Sequence, residues 1–292
     1  NIAAISGGTI SGNITMQRYI NEGETNWRFF TSPILNSTLE DWDDNFETSG
    51  FTGTDAPNWP SAANPWPSMY FYNESIAGDI NNGYEPATNT NNLIGLGKGV
   101  SVWCGDTLSG TQPFTIDVIG EPNTGNTNTP LSFSNGTNTG DGWNLVGNPY
   151  PSSIDWDSPN INKIAMNNAI YVWDPDAQQY SAYVNGIGIN GGSSIIPSSQ
   201  AFFVEANSSS GEIQYTENCK TNNDGTFFKT SSNSISIIIN VENQSGKDQS
   251  IINFNNSSTN LFDYNYDAHK VYSSNTNYPS LSSISNDIEY SI

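Results

Sequence analysis

Apolar positions along the chain recur with the alternation of strands rather than the 3.6-residue period of a helix. In WNLVGN, Trp143 and Leu145 point to one face and Asn144 and Val146 to the other, and Pro149 then ends the run by removing a ladder donor. Runs such as SISIIINV and QAFFVE are short, rich in β-branched or aromatic residues, and bounded by turn residues. Ala, Leu, Glu and Lys build no sustained amphipathic stretch, so the pattern predicts an all-β chain. Three hairpins are expected, in IYVWDPDAQQYSAYV, FFVEANSSSGEIQY and SISIIINVENQSGKDQSIINF. Asp174 and Pro175 fit the first two positions of a type I turn in the first of these. The bond between Tyr150 and Pro151 is a candidate for the cis form.

The pattern occurs twice. NWRFFTSPILNSTLEDWDD mirrors GWNLVGNPYPSSIDWDS: Trp27 and Trp143 each precede a proline, Pro33 and Pro149, by six positions. A serine follows, Ser37 or Ser153, and then an Asp-Trp-Asp triplet centred on Trp42 or Trp156. Downstream, SMYFYNES from Ser68 parallels AIYVWDPD from Ala169, and GKGVSVW from Gly97 parallels SSQAFFV from Ser198. Shared order and spacing point to duplication. They predict two related β-sandwich, jelly-roll-like halves, 1–130 and 131–217, with the boundary between Thr124 and Asn138. A strand-rich segment, 218–292, follows. The start at Asn1 is expected to mark a processed or excised piece. The strand-like end, Ile288 to Ile292, is expected to be an edge completed by downstream sequence, a neighbouring copy or another protein; the alternative is a protected edge or frayed tail.

Composition narrows the partners. In 292 residues, Asp and Glu outnumber Lys and Arg by 29 to 8, a formal charge of -21 that argues against nucleic acid and anionic membranes. No apolar stretch is long enough to form a transmembrane segment. Two cysteines, Cys104 and Cys219, allow at most one bridge, and the sequence does not choose.

The motifs MQRYI, WRFFTSPI, GKGVSVW, GEPNTG, GWNLVGNPYPSSIDWD, IYVWDPDAQQY, IPSSQAFFV and FDYNYDAHKV resemble the duplicated β-rich region of large secreted and cell-surface proteins of Bacteroidetes. In that family the region lies upstream of a C-terminal sorting domain of the type IX secretion system. The resemblance implies an extracellular, surface-attached protein, an adhesin or the accessory region of a secreted enzyme, and supplies no catalytic residue. Asp106-Thr107-Leu108 resembles the short acidic O-glycosylation signal of that phylum, which makes Thr107 a candidate modification site.

Catalytic chemistry finds little support. The single histidine, His269 in YDAHK, reads as a surface residue with no nucleophile marked beside it. HExxH, CxxC, P-loop and dinucleotide fingerprints are absent. Acids are plentiful enough for a glycosidase pair, but they sit in turn contexts where Asp satisfies backbone donors. Structural calcium is the better suggestion from the same acids, at Asp41 and Asp43, Asp155 and Asp157, or Asp263 and Asp267, with no other cofactor expected. Eight Trp and fourteen Tyr suggest stacking against sugars. The duplicated tryptophans read as core, whereas Trp59, Trp66, Tyr180 and Tyr183 are candidates for a surface platform, with core or loop packing as their other reading. PNWPSAANPWP in particular reads as a proline-stiffened loop displaying two Trp. The expected function is a non-catalytic module for adhesion or display, partnered by a glycan or another surface protein. The alternative is a carbohydrate-binding accessory module of a polysaccharide-degrading enzyme, and a glycosidase is third.

Overall fold

A computed structural model describes residues 1–8, 10–21, 26–104, 113–135, 137–223 and 235–292. The described chain is all-β, as its alternating pattern predicts, with a single four-residue α-helix, α1 (Glu40–Asp43). The first unit holds β1 (Ile14–Ile20), β2 (Asn26–Phe30), the two-residue strands β3 (Pro60–Ser61) and β4 (Asn64–Pro65), β5 (Met69–Tyr72), β6 (Tyr84–Pro86), β7 (Val100–Cys104) and β8 (Phe114–Gly120). Its main sheet runs β2-β7-β5-β6, and a β1-β8 ladder packs across it. Burial alternates along β1, so Ile14, Met16 and Ile20 turn inward to meet Phe30, Met69, Val100 and Val102 in one core.

The second unit contributes β9 (Thr127–Pro130), β10 (Trp143–Gly147), β11 (Ser153–Asp155), β12 (Ile161–Ile164), β13 (Ile170–Asp174), β14 (Gln179–Val184), β15 (Ile187–Ile189), β16 (Ile195–Ile196), β17 (Ala201–Glu205), β18 (Glu212–Tyr215) and β19 (Lys220–Thr221). Its main sheet runs β10-β17-β13-β14-β15, covered by the sheets β12-β18-β9 and β16-β11-β19. The order β10-β17-β13-β14 repeats β2-β7-β5-β6 strand for strand. Trp27 and Trp143 lie near the starts of equivalent strands, and Pro33 and Pro149 follow them. Trp42 and Trp156 are both buried, the first against Phe30 with ring centroids 6.0 Å apart and the second against Phe202 at 5.5 Å.

Several expectations are corrected. Strand β9, placed by sequence in the first half, pairs with β18 and so belongs to the second. FFVEANSSSGEIQY is not a hairpin: β17 pairs with β10 and β13, whereas β18 joins the opposite sheet. The chain crosses between layers at Ala206, whose N–H donates to Gly142 O at 2.7 Å. The cis X-Pro bond lies at Trp59–Pro60, not Tyr150–Pro151. The third motif is one residue out of step, because Tyr70 faces Ser101 and Tyr171 faces Phe203. Gly97 therefore corresponds to Ser199, and both have positive φ, 70° and 61°. The turn fixes the register, and a one-residue shift exchanges the faces of the whole strand.

The two units join through reciprocal contacts. Phe30 bridges to Gln200 and its counterpart Val146 bridges to Lys98. Thr31 N–H donates to Ser199 O at 3.1 Å, and Gly147 N–H, the equivalent group, donates to Gly97 O at 2.9 Å. Such reciprocity is the signature of a two-fold relation, here within one chain. The main sheets face each other over a core containing Phe29, Trp143, Leu145, Tyr171 and Phe203. This second cover explains why β10 and β14 are buried at every position.

The third segment carries two hairpins, β20 (Ile235–Glu242) with β21 (Lys247–Phe254) and β22 (Ser283–Ser285) with β23 (Ile288–Tyr290). Ile251, Ala268, Val271 and Ile292 dock it onto the central core. A buried Lys270–Asp248 ion pair adds to this, with Asp248 also accepting from Asn190 Nδ2 at 2.8 Å and Leu281 N–H at 2.7 Å. The open edge expected at Ile288 to Ile292 is covered on both flanks, since Ala268 N–H donates to Ile292 O at 3.1 Å and Ile251 N–H to Ser291 O at 3.0 Å. Exposed apolar surface lies instead on β20 and β21, at Ile235, Ile237, Ile252 and Phe254.

Candidate functional site

A cleft of about 220 Å3 opens where the two main sheets meet the third segment. Its aromatic walls are Trp27 from β2, Tyr70 from β5, Tyr84 from β6, Trp173 from β13 and Tyr180 from β14, and Tyr272 closes one side. Asn81, Ser101 and Ser274 supply neutral polar groups. Burial raises the Tyr180 hydroxyl to about 12 and also raises that of Tyr84 well above its ordinary value, so both keep their protons at neutral pH. The Trp173 indole N–H is buried without a hydrogen-bond partner.

The duplication explains why this cleft exists. The mate of Ser101 is Phe203, whose ring fills the corresponding space by edge contacts to Tyr72 at 4.8 Å, Phe29 at 5.4 Å and Trp143 at 6.1 Å. Trp143 is sealed there against Tyr171 at 4.9 Å. Serine at the equivalent position leaves Trp27 and Tyr70 lining a cavity instead. Sequence reasoning assigned Trp27 to the core on the strength of its repeat; the one signal available was the serine standing where its mate is phenylalanine.

The residues singled out by sequence fall in different places. Trp66 packs on Trp27 at 5.6 Å and Trp103 at 5.4 Å, behind the cleft wall. Trp59 stands edge-on to Trp66 at 5.7 Å and is 54% exposed, at the outer end of this indole cluster. Tyr180 is in the cleft, packed on Trp173 at 5.1 Å. Tyr183 is elsewhere and buried, its hydroxyl bound to Asp157 and accepting from Gly186 N–H at 2.8 Å.

The acids proposed for calcium serve their own turns. Asp41 accepts from Thr38 N–H at 2.8 Å, and Asp43 from the Thr48 hydroxyl. Asp155 accepts from Asp157 N–H at 3.2 Å, Asp263 from Thr259 N–H at 2.5 Å, and Asp267 from Asp263 N–H at 2.8 Å. Among the described residues no three His, Cys, Asp or Glu side chains gather as a metal group. Thr107 lies outside the described residues. Cys104 and Cys219 are free and buried in separate cores, which raises their thiols to about 11 and about 12. His269 is not the solvated residue expected: it stacks on Phe262 at 4.0 Å, and its Nε2 lies 3.5 Å from Glu205.

Topology and cleft together define a duplicated all-β protein, two sandwich-like units joined face to face with an aromatic cavity beside the joint. The chain matches the family model described as Domain of unknown function (DUF8693) over residues 2–292, and it belongs to that family. No curated protein and no solved structure matches it.

Proposed function

We propose that this chain is a non-catalytic recognition module of an exported surface protein, and that it binds a saccharide in the cleft beside Trp27. The carrying observation is the cavity that Ser101 opens where Phe203 fills its counterpart. Aromatic faces meet the C–H faces of a pyranose, and neutral polar groups at the rim suit sugar hydroxyls. At about 220 Å3, the cleft is somewhat smaller than the roughly 300–1,000 Å3 of drug-sized pockets, a size suited to a single ring. This favours carbohydrate binding over display alone. Surface location follows from the resemblance to secreted Bacteroidetes proteins, and calcium plays no part in the reading.

The test is a glycan array probed with the purified chain and with Ser101→Phe, which builds the missing ring into the cleft. Binding by the parent and loss of at least tenfold in the variant is expected, with the melting temperature held within a few degrees. Retained affinity in Ser101→Phe would place the ligand elsewhere. Turnover of any polysaccharide by the purified chain would end the non-catalytic reading.

A further inference from the structure

Beside the aromatic cleft, and sharing Phe29 and Trp173 with it, runs a larger groove of about 800 Å3. The chain contains two arginines, Arg18 and Arg28, and both line this groove. In a chain with an overall charge of -21, the groove brings both guanidinium groups to one surface. Arg28 is held in place by the chain, donating to Asn26 O and Cys104 O at 3.4 Å. Arg18 differs. It lies on the inward face of β1, in step with Ile14, Met16 and Ile20, and it makes no hydrogen bond or ion pair with a described residue. Burial lowers its pKa, yet a guanidinium stays charged at any ordinary pH. A half-buried cation without an acceptor among the described residues is costly to maintain, and an external carboxylate or oxyanion offsets that cost through paired, charge-assisted hydrogen bonds.

The groove is also lined by Asp174 and Asp176. Asp174 Oδ1 accepts from Asp176 N–H and Ala177 N–H, both at 3.0 Å, which ties it to its turn. These acids disfavour a densely charged polyanion. They tolerate a ligand with one negative group and several hydroxyls, since a hydroxyl donates to Asp while the anion faces Arg18.

We infer that the cleft and the groove form one extended site for an acidic saccharide of the uronate type, with a sugar ring against Trp27 and Trp173 and a neighbouring carboxylate on Arg18. The inference rests on the saccharide reading of the cleft and names its ligand class. The test titrates the full chain with uronate oligosaccharides from galacturonan and from mannuronan, each as the free acid and as the methyl ester, together with sulfated oligosaccharides. The free acid is expected to bind about tenfold more tightly than its ester, the size of a charge-assisted hydrogen bond. The preference should shrink as salt is raised. Arg18→Gln should bring the acid-to-ester ratio close to one, and Arg18→Lys should restore part of it, which a folding defect would not do. Equal binding of acid and ester by the parent chain overturns the uronate inference and leaves the saccharide reading standing. Tighter binding of the sulfated oligosaccharides than of the uronates also overturns it. Failure of all these oligosaccharides to bind a chain that does bind a neutral glycan on the array overturns the uronate inference alone, and failure on the array as well overturns both.

Discussion

Glu205 and His269 meet at 3.5 Å where the third segment docks on β17, and burial acts on both. It lifts the Glu205 carboxyl from its ordinary 4.5 to about 8, with Asn167 Nδ2 as a partial counterweight, and lowers His269 from 6.5 to about 4. Between roughly pH 4.5 and 6.5 the folded pair holds one proton, on Glu205, and the unfolded pair also holds one, on the imidazole. Stability is flat there. Above 6.5 the unfolded chain has released its proton while the folded chain keeps one until about 8. The raised pKa of Glu205 thus contributes stability that is lost as pH rises through this window, by about 2 kcal/mol. Thermal unfolding from pH 6 to 9 should show the decline, and Glu205→Gln should remove most of it. A parent chain whose melting temperature rises over that range would contradict the pairing.

At the scale of elements, the duplicated strands conserve cross-strand pairs rather than individual side chains. Phe30 faces Val100 in the first unit, and the equivalent pair in the second is Val146 facing Phe202, the same two side chains exchanged between strands. Trp42 and Trp156 then pack on whichever partner is aromatic. The volume across the ladder is constant, which is what a core tolerates. Phe30→Val alone should cost about 2–3 kcal/mol by leaving a cavity beside Trp42. Adding Val100→Phe should recover at least half of that loss in urea unfolding. If the two single losses simply add, the ladder pair is not the unit of packing. Alternation made these strands legible in the sequence. The pairing partners were less so, and FFVEANSSSGEIQY misled because two neighbouring strands with a Gly-containing link have the same local pattern whether they pair or change layers.

For the molecule as a whole, the joint between units depends on close backbone approach. A Cβ at Gly147 would stand 2.2 Å from Thr31 Cβ, closer than any packing allows. Gly147→Ala should therefore cost about 1–3 kcal/mol, through strain at the contact that orients the two sheets. The cleft is built across that joint, from Trp27 on one unit to Tyr180 on the other. The same variant should weaken saccharide binding even though it touches no wall of the cleft. Unfolding followed by near-UV circular dichroism, alongside titration with the array ligand, checks both effects. A variant with full stability and full affinity would show that the joint does not set the cleft.

The sequence by itself determined the strands, their turns, the duplication and the alternation that buries Trp143 and Leu145 on one face and Val146 on the other. These follow from period-two patterning and turn chemistry, which act between near neighbours. Only the tertiary structure decided that Trp27 lines a cavity while Trp143 is sealed, and that Tyr183 is buried rather than displayed. It also brought His269 against Glu205 and gathered both arginines on one groove. A cavity is the lack of a side chain at a place where distant segments meet. Ser101 opens one because Tyr84, Trp173 and Tyr180 arrive around it from elsewhere in the chain, and no local pattern records that meeting.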